Sequence, residues 1–369
     1  MYDDVRKKQL ATLIRKKRIM NPALKKMLII LVILVVGLVL VRVSFKLEPV
    51  QNVMLNVLAD QFAKTASEEM ASPNSLRVFV CGSASPLGMS DQAQACIAVV
   101  TPEHFYVIDS GAGSTANLQG SGLPMNRLQG ILLTHFHSDH IAEIYEVNLN
   151  SWVQGRVSPL KVLGPEGVVE IVEGVNSTYR LDRSYRSAHH GVELLVPELG
   201  VMRPQVINAN ESIRDGDLTI TAYSASHPPI KPALGYRFDY QGRSVVISGD
   251  SLITEDTANI SDGADLLLHD ALSLQIVSKL SETANSAGLN RIGKIMADVM
   301  DYHASAESIV ALSDKASIQQ VAFYHLVPIP ANILMEEIFL RGLPENYSIA
   351  KDGMWYELPI GSNEIIFSD

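Results

Sequence analysis

Residues 134–140 read Thr-His-Phe-His-Ser-Asp-His, which places His135, His137, Asp139 and His140 within six residues. Imidazoles and a carboxylate at this density suit zinc, with manganese or iron as alternatives. In an extended segment alternate side chains share a side, so His135 and His137 point the same way. Asp139 and His140 fall at the turn that follows and can address a neighbouring point. The run before the motif, 131–134 (ILLT), reads as a buried strand, and IAEIYEV after it reads as helix. The motif therefore sits on a strand-to-helix loop. Histidines at a helix start are often plain surface residues, but four ligand types in one loop favour a metal.

Further ligand-type residues stand at strand ends. His227 lies in SASHPPIKPALGYRF, Asp250 in VVISGDS, and His325 in VAFYHLVP. Asp109 lies in VIDSGAG, and two more histidines occur in LLLHD (266–270) and in Tyr302-His303-Ala304-Ser305. His104 has no matching role and reads as a surface turn residue. His189 and His190 are adjacent and point apart, so one of them is a candidate for the wall of a substrate pocket.

This set resembles the metallo-β-lactamase superfamily, whose HxHxDH signature is followed by a distant His, an Asp after a strand and a last His. The resemblance implies an α+β domain, a four-layer αββα sandwich. It also implies two Zn²⁺ ions. His135, His137 and His227 would hold one, Asp139, His140 and His325 the other, and Asp250 would bridge them. Asp109 would orient ligands of the motif loop. Within the superfamily the 266–270 and 302–305 segments resemble the ribonuclease Z-like and arylsulfatase-like branch, as does Asp352-Gly353-Met354 near the end. The likeness spans roughly 75–358. In that branch a Glu follows the first His; here Asp270, one methylene shorter, takes its place. His303 would be the proton donor, oriented by Asp270, although a plain helix-capping role is open to it.

The expected reaction is ester hydrolysis by a metal-bridging hydroxide, with Asp139, His303 and Asp270 taking part in catalysis. A phosphate or sulfate ester of modest size is the expected substrate. Alternatives are a lactonase or other acyl hydrolase, a ribonuclease Z-like endonuclease, and a non-catalytic binding protein on the same fold. Three features set nucleic acid aside at this point, the first being the translocated location expected below, which gives the domain no access to precursor tRNA. Residues 47–369 hold 19 Lys/Arg against 38 Asp/Glu, a field that repels polyanions. Only 22 residues separate His227 from Asp250, where the bacterial ribonuclease Z compared carries a long tRNA-clamping arm.

The elements that must position these residues alternate in character. Apolar runs at 76–80, 95–100, 105–108, 218–222, 234–240, 244–247, 266–268 and 321–324 read as strands; 139–150, 292–302 and 305–316 read as helices. Ser305 is a suitable N-cap. Val50, Val53, Met54, Val57 and Leu58 recur at helical spacing, giving an amphipathic stalk helix over 50–64 before a break at 71–74.

Ahead of this, 27–41 has no charge, and 27–45 makes nineteen residues with Arg42 near one end. That matches a membrane span of roughly 20 residues. A cleaved signal peptide and a buried core helix are the alternatives; no small-x-small cleavage site stands near 43–50. Nine Lys/Arg within 1–26 set the orientation, with the N-terminus cytoplasmic and the domain outside. The expected organisation is a basic tail (1–26), an anchor (27–45), a stalk (46–73) and a hydrolase domain (74–369). Cys81 and Cys96, the two cysteines, lie outside any CxxC or CxxH pattern. An oxidising compartment permits a disulfide between them, and strand alternation leaves their facing open.

Overall fold

The computed structural model describes residues 21–67, 74–87 and 91–368. The first twenty residues of the expected basic tail, and most of the break at 71–74, lie outside them. The chain separates into two units at Glu68 and Glu69.

In the first unit Pro22–Ser44 is a 23-residue helix with no buried residue. Asn21 caps it by accepting from the Ala23 backbone N–H, and Pro22 costs nothing at a position whose N–H has no partner. At about 1.5 Å per residue it spans about 35 Å, enough for a hydrocarbon layer of about 30 Å. It is long and apolar enough to cross a membrane, a test of length and composition that a signal sequence also passes. A second helix follows over Glu48–Ser67.

The described residues of the second unit form fifteen strands. β1 (Ser75–Gly82), β2 (Cys96–Val100), β3 (Phe105–Ile108), β4 (Gly130–Leu132), β5 (Lys161–Gly164) and β6 (Arg203–Val206) begin one sheet. β7 (Ser212–Asp215), β8 (Leu218–His227), β9 (Ile230–Tyr240), β10 (Arg243–Ile247), β11 (Leu266–Leu272), β12 (Gln320–Val327) and β13 (Tyr347–Ile349) form the other. β14 (Trp355–Pro359) and β15 (Ile366–Ser368) return to the first sheet beside β1. Pairing is antiparallel among β1, β2 and β3 and parallel from β3 to β6; the second sheet is antiparallel from β7 to β10 and parallel from β10 to β13.

Strand alternation divides the apolar residues between two interfaces. Val78 and Val80 of β1 pack with Ile220, Phe238, Val245 and Leu268 in the core between the sheets. Phe79 and Cys81, on the opposite face, pack with Ile144, Val147, Val168 and Val172 of the helices Ile144–Val153 and Val168–Thr178. The helix Ala306–Ala316 covers the outer face of the second sheet through Ile309 and Leu312. The layers are helix, sheet, sheet, helix, the expected αββα sandwich.

Some local expectations change. The expected helix over 292–302 ends at Asp298, and a 3₁₀ turn over Val299–Asp301 turns the chain so that Tyr302 and His303 face inward. His104 is buried rather than a surface turn residue: its Nδ1 lies 2.7 Å from the Thr101 hydroxyl and its Nε2 3.9 Å from Asp215. The strand β5 and the helices Val168–Thr178 and Arg180–His190 have no counterpart in the sequence reading.

Cys81 and Cys96 form a disulfide between β1 and β2, with Cα atoms 5.0 Å apart. Both are fully buried. The bridge closes a loop of separation 15, worth roughly 3 kcal/mol through restriction of the unfolded chain. Denaturant unfolding of the Cys81→Ala/Cys96→Ala protein should show a loss of about 2–4 kcal/mol. Equal midpoints for the two proteins would show that the bridge adds no stability.

Candidate functional site

Four loops at strand ends meet at one point. The loop after β4 carries His135 to His140, the end of β8 carries His227, the loop after β10 carries Asp250, and β12 carries His325. Positive φ angles at Asp109 (57°) and His325 (46°) mark where backbone geometry is bent to aim a side chain. Gly249 has φ of 63°, and a Cβ there would stand 2.8 Å from the Thr134 Cβ. Glycine therefore lets the Asp250 loop close onto the His135 loop.

One buried carboxylate fixes the motif loop. Asp109 accepts from the Thr134 backbone N–H, from the Thr134 hydroxyl and from His140 Nδ1, each at 2.8 Å. A carboxylate only accepts, so His140 Nδ1 carries a hydrogen and Nε2 is the ring atom left to face the cluster. Thr134, having given its hydrogen to Asp109, accepts from His135 Nδ1 at 3.1 Å. His227 Nδ1 donates to the Tyr302 carbonyl at 3.1 Å. Three ring tautomers are thus set by partners outside the cluster, the arrangement that prepares imidazoles for a metal.

The free ring nitrogens converge on Asp250. His135 Nε2 is 3.9 Å, His227 Nε2 3.8 Å and His140 Nε2 3.4 Å from its Oδ2, and His325 Nδ1 is 3.3 Å from its Oδ1. Asp139 Oδ2 lies 3.1 Å from His325 Nε2 and 3.4 Å from His140 Nε2. His137 Nδ1 lies 2.9 Å from His135 Nε2 and 3.3 Å from His227 Nε2. Two groups result, His135/His137/His227/Asp250 and Asp139/His140/Asp250/His325, each with donor atoms within 4.8 Å of one another. Asp250 is common to both. His140 Nε2, Asp250 Oδ1 and His325 Nδ1 are buried without a hydrogen-bond partner. Orphaned donors of this kind are costly unless a cation takes them, so the donor set fits a metal site.

The ionisation of the cluster follows its burial. Burial lowers the pKa of His135, His137 and His227 and keeps them neutral. Burial opposes charge on Asp250 and Asp139, but the histidines around them outweigh it and hold both carboxyls below the usual range. The same pairing raises His140 and His325 against the effect of burial.

Asp270 and His303 stand beside this cluster. Asp270 accepts from His303 Nδ1 at 2.8 Å through Oδ2, and its Oδ1 receives the Ser251 N–H at 3.1 Å and faces His269 Nδ1 at 2.9 Å. His303 thereby keeps Nε2 free, and its ring centroid is 5.4 Å from those of His227 and His325. A cavity of about 260 Å³ exposes His137, Asp139, His227, Asp250, His303 and His325. Its other wall is Ser85, Pro86, Leu87, Ile295, Val299, Tyr302 and Val327. His189 and His190 end an outer helix, are exposed, and line no part of this cavity.

Sequence reasoning missed that wall and what holds it. Asp352 accepts from Ser83 N, Ser83 Oγ, Ala93 N and Asn117 Nδ2, tying the ends of the 83–93 loop. The Asp352-Gly353-Met354 segment was noticed only as a resemblance; its contacts, 259 and 269 residues away along the chain, leave no local trace in the sequence.

A family model described as "Beta-lactamase superfamily domain" matches residues 106–326. The ribonuclease Z of Mycobacterium bovis (strain BCG / Pasteur 1173P2) is 30% identical, over 69% of this chain and 86% of its own length. Among solved structures, the metallo-β-lactamase fold protein YhfI from Bacillus subtilis aligns with a TM-score of 0.56 at 18% identity, covering 77% of this chain and 99% of its own. The short form of human tRNase Z aligns with a TM-score of 0.53 at 17% identity, covering 77% and 100%.

These relatives overturn one expectation. A small-molecule ester substrate with nucleic acid set aside does not fit a chain related to ribonucleases Z at this coverage. The argument from net charge failed because it summed charges over the whole domain, whereas a nucleic acid meets only the charges near its path. The chain belongs to the metallo-β-lactamase superfamily, as a relative of the ribonucleases Z.

Proposed function

We propose that this chain is a metal-dependent phosphodiesterase that cleaves RNA. The observation that carries the reading is the His303–Asp270 pair, set beside a complete ligand cluster in a chain related to ribonucleases Z. His135, His137 and His227 would hold one divalent ion, Asp139, His140 and His325 a second, with Asp250 shared; zinc suits these donors best. When bound, the two ions supply Lewis-acid activation of water and of the phosphoryl oxygens.

The chain's own residues do the rest. Water gives up a proton to solvent as its oxygen bonds to phosphorus, and the bond to the leaving oxygen breaks. His303, as the imidazolium, gives that oxygen a proton from Nε2. Asp270 holds the ring by Nδ1 and stabilises the charged imidazolium, so the proton donor is oriented, and solvent returns its proton after each turnover. Apolar Ile295, Val299 and Val327 shield the reacting group from bulk water.

The same proposal places the domain outside the cytoplasm. It comprises a cytoplasmic tail (1–26), an anchor (27–45), a stalk (46–73) and the hydrolase domain (74–369). Nine basic residues ahead of the uncharged run that starts at Met27 support the orientation, and the buried disulfide supports an oxidising compartment. A reporter fused after Asp369 should be active only on the far side of the membrane; activity in the cytoplasm would refute this topology.

Elemental analysis of the zinc-supplemented protein should find about two metals per chain, and Asp250→Ala should lose both, since both groups share it. One metal or none in the wild type would defeat the two-ion assignment. His303→Ala should cleave RNA roughly 10²–10⁴-fold more slowly with its metal retained. The loss should shrink for bis(nitrophenyl) phosphate, whose leaving group needs little protonation. A wild type that hydrolyses aryl sulfates or lactones but leaves RNA intact would overturn the reading.

A further inference from the structure

A second cavity lies on the other side of His227. It measures about 750 Å³, and its polar lining is Glu166, Ser224, Ser226, His227, Lys231 and Thr254. His227 is common to this cavity and to the smaller one at the metal cluster. At about 260 Å³ the smaller cavity falls below the usual span for a bound ligand, about 300–1,000 Å³. It takes a phosphodiester group and little of the chain on either side.

Lys231 is distinctive within this pair of cavities. Among the described residues lining them it is the one Lys or Arg. It is exposed and has no ion-pair partner among the described residues, Glu166 on the same cavity included. Its position is fixed by the sheet. β8 and β9 pair with His227 opposite Ile230, so Lys231 is the second residue of the returning strand, immediately beyond that pair. A ligand of the cluster and an unpaired cation are thereby held on one short hairpin.

We propose that Lys231 and this cavity form a subsite for the RNA strand next to the scissile bond, with Lys231 taking a backbone phosphate. The inference rests on RNA being the substrate. It supplies what the overall charge withholds: residues 47–369 are strongly acidic, so long-range attraction cannot bring or hold a polyanion. Affinity must then come from cations beside the path of the strand. The neutral hydroxyls of Ser224, Ser226 and Thr254 add hydrogen-bonding positions for phosphate and sugar oxygens. Glu166 sets a limit, since a phosphate brought near it without Lys231 meets repulsion alone.

The test compares full-length, zinc-loaded wild type, Lys231→Gln and Lys231→Arg on a short oligoribonucleotide and on a dinucleotide. The dinucleotide places no phosphate beyond the one cleaved. For Lys231→Gln the ratio of kcat/KM for the oligomer over the dinucleotide should fall about tenfold, through KM, and the salt dependence of KM should lose about 0.7 of a unit of slope, the share of one phosphate contact on a single strand. Lys231→Arg should retain most of the ratio, because a guanidinium also binds phosphate. An unchanged ratio and slope in Lys231→Gln, with the wild type cleaving the oligomer, would overturn the subsite. Failure of the wild type to cleave either RNA would instead overturn the substrate assignment on which it rests.

Discussion

The carboxylate of Asp250 is almost completely buried, and the rest of the site is arranged around that fact. A buried charge is tolerated only when opposite charge or a metal surrounds it. Four imidazoles from three different loops approach it within 3.9 Å. Bringing them there requires the left-handed Gly249, which lets one loop close on another, and the bent backbone at His325. It also requires Asp109, a second buried carboxylate whose three bonds hold the His135–His140 loop against β3. Both sheets deliver strand ends to this one anion.

The neighbouring Asp270 solves a different problem with the same chemistry. It is fully buried, yet His269, His303 and the Ser251 N–H surround it. Burial opposes its ionisation, and the two histidines outweigh burial and keep it charged. Shortening Glu to Asp therefore leaves the link to His303 intact, because the 302–305 turn reaches inward to meet it. A helix ending four residues earlier than the periodicity implied is what makes that reach available.

Charge distribution separates this domain from a simple view of polyanion binding. A net excess of acidic residues describes the field far from the surface, where salt screens it over about 8–10 Å. Closer in, the local charges decide, and the cation beside His227 is Lys231. The β8–β9 hairpin, with His227 opposite Ile230, keeps Lys231 close to the cluster.

The ligand types, their order and the placement of each at a strand end were legible in the sequence, because a metal demands particular donor atoms and a strand followed by a turn leaves a strong local pattern. The apolar helix near the N-terminus was legible for the same reason, being a purely local property of composition. The facing of Cys81 toward Cys96 was not, because strand alternation gives two equal answers until the register of β1 on β2 is known. The inward position of His104, the end of the helix at Asp298 and the wall at 85–87 were hidden likewise. The first depends on Asp215 and the last on Asp352, partners far along the chain. Sequence thus determined which atoms could bind a metal, since that is chemistry carried by single residues. Tertiary structure decided which of them meet, which tautomer each holds and what lines the space beside them, since those are set by contacts between segments that the chain order keeps apart.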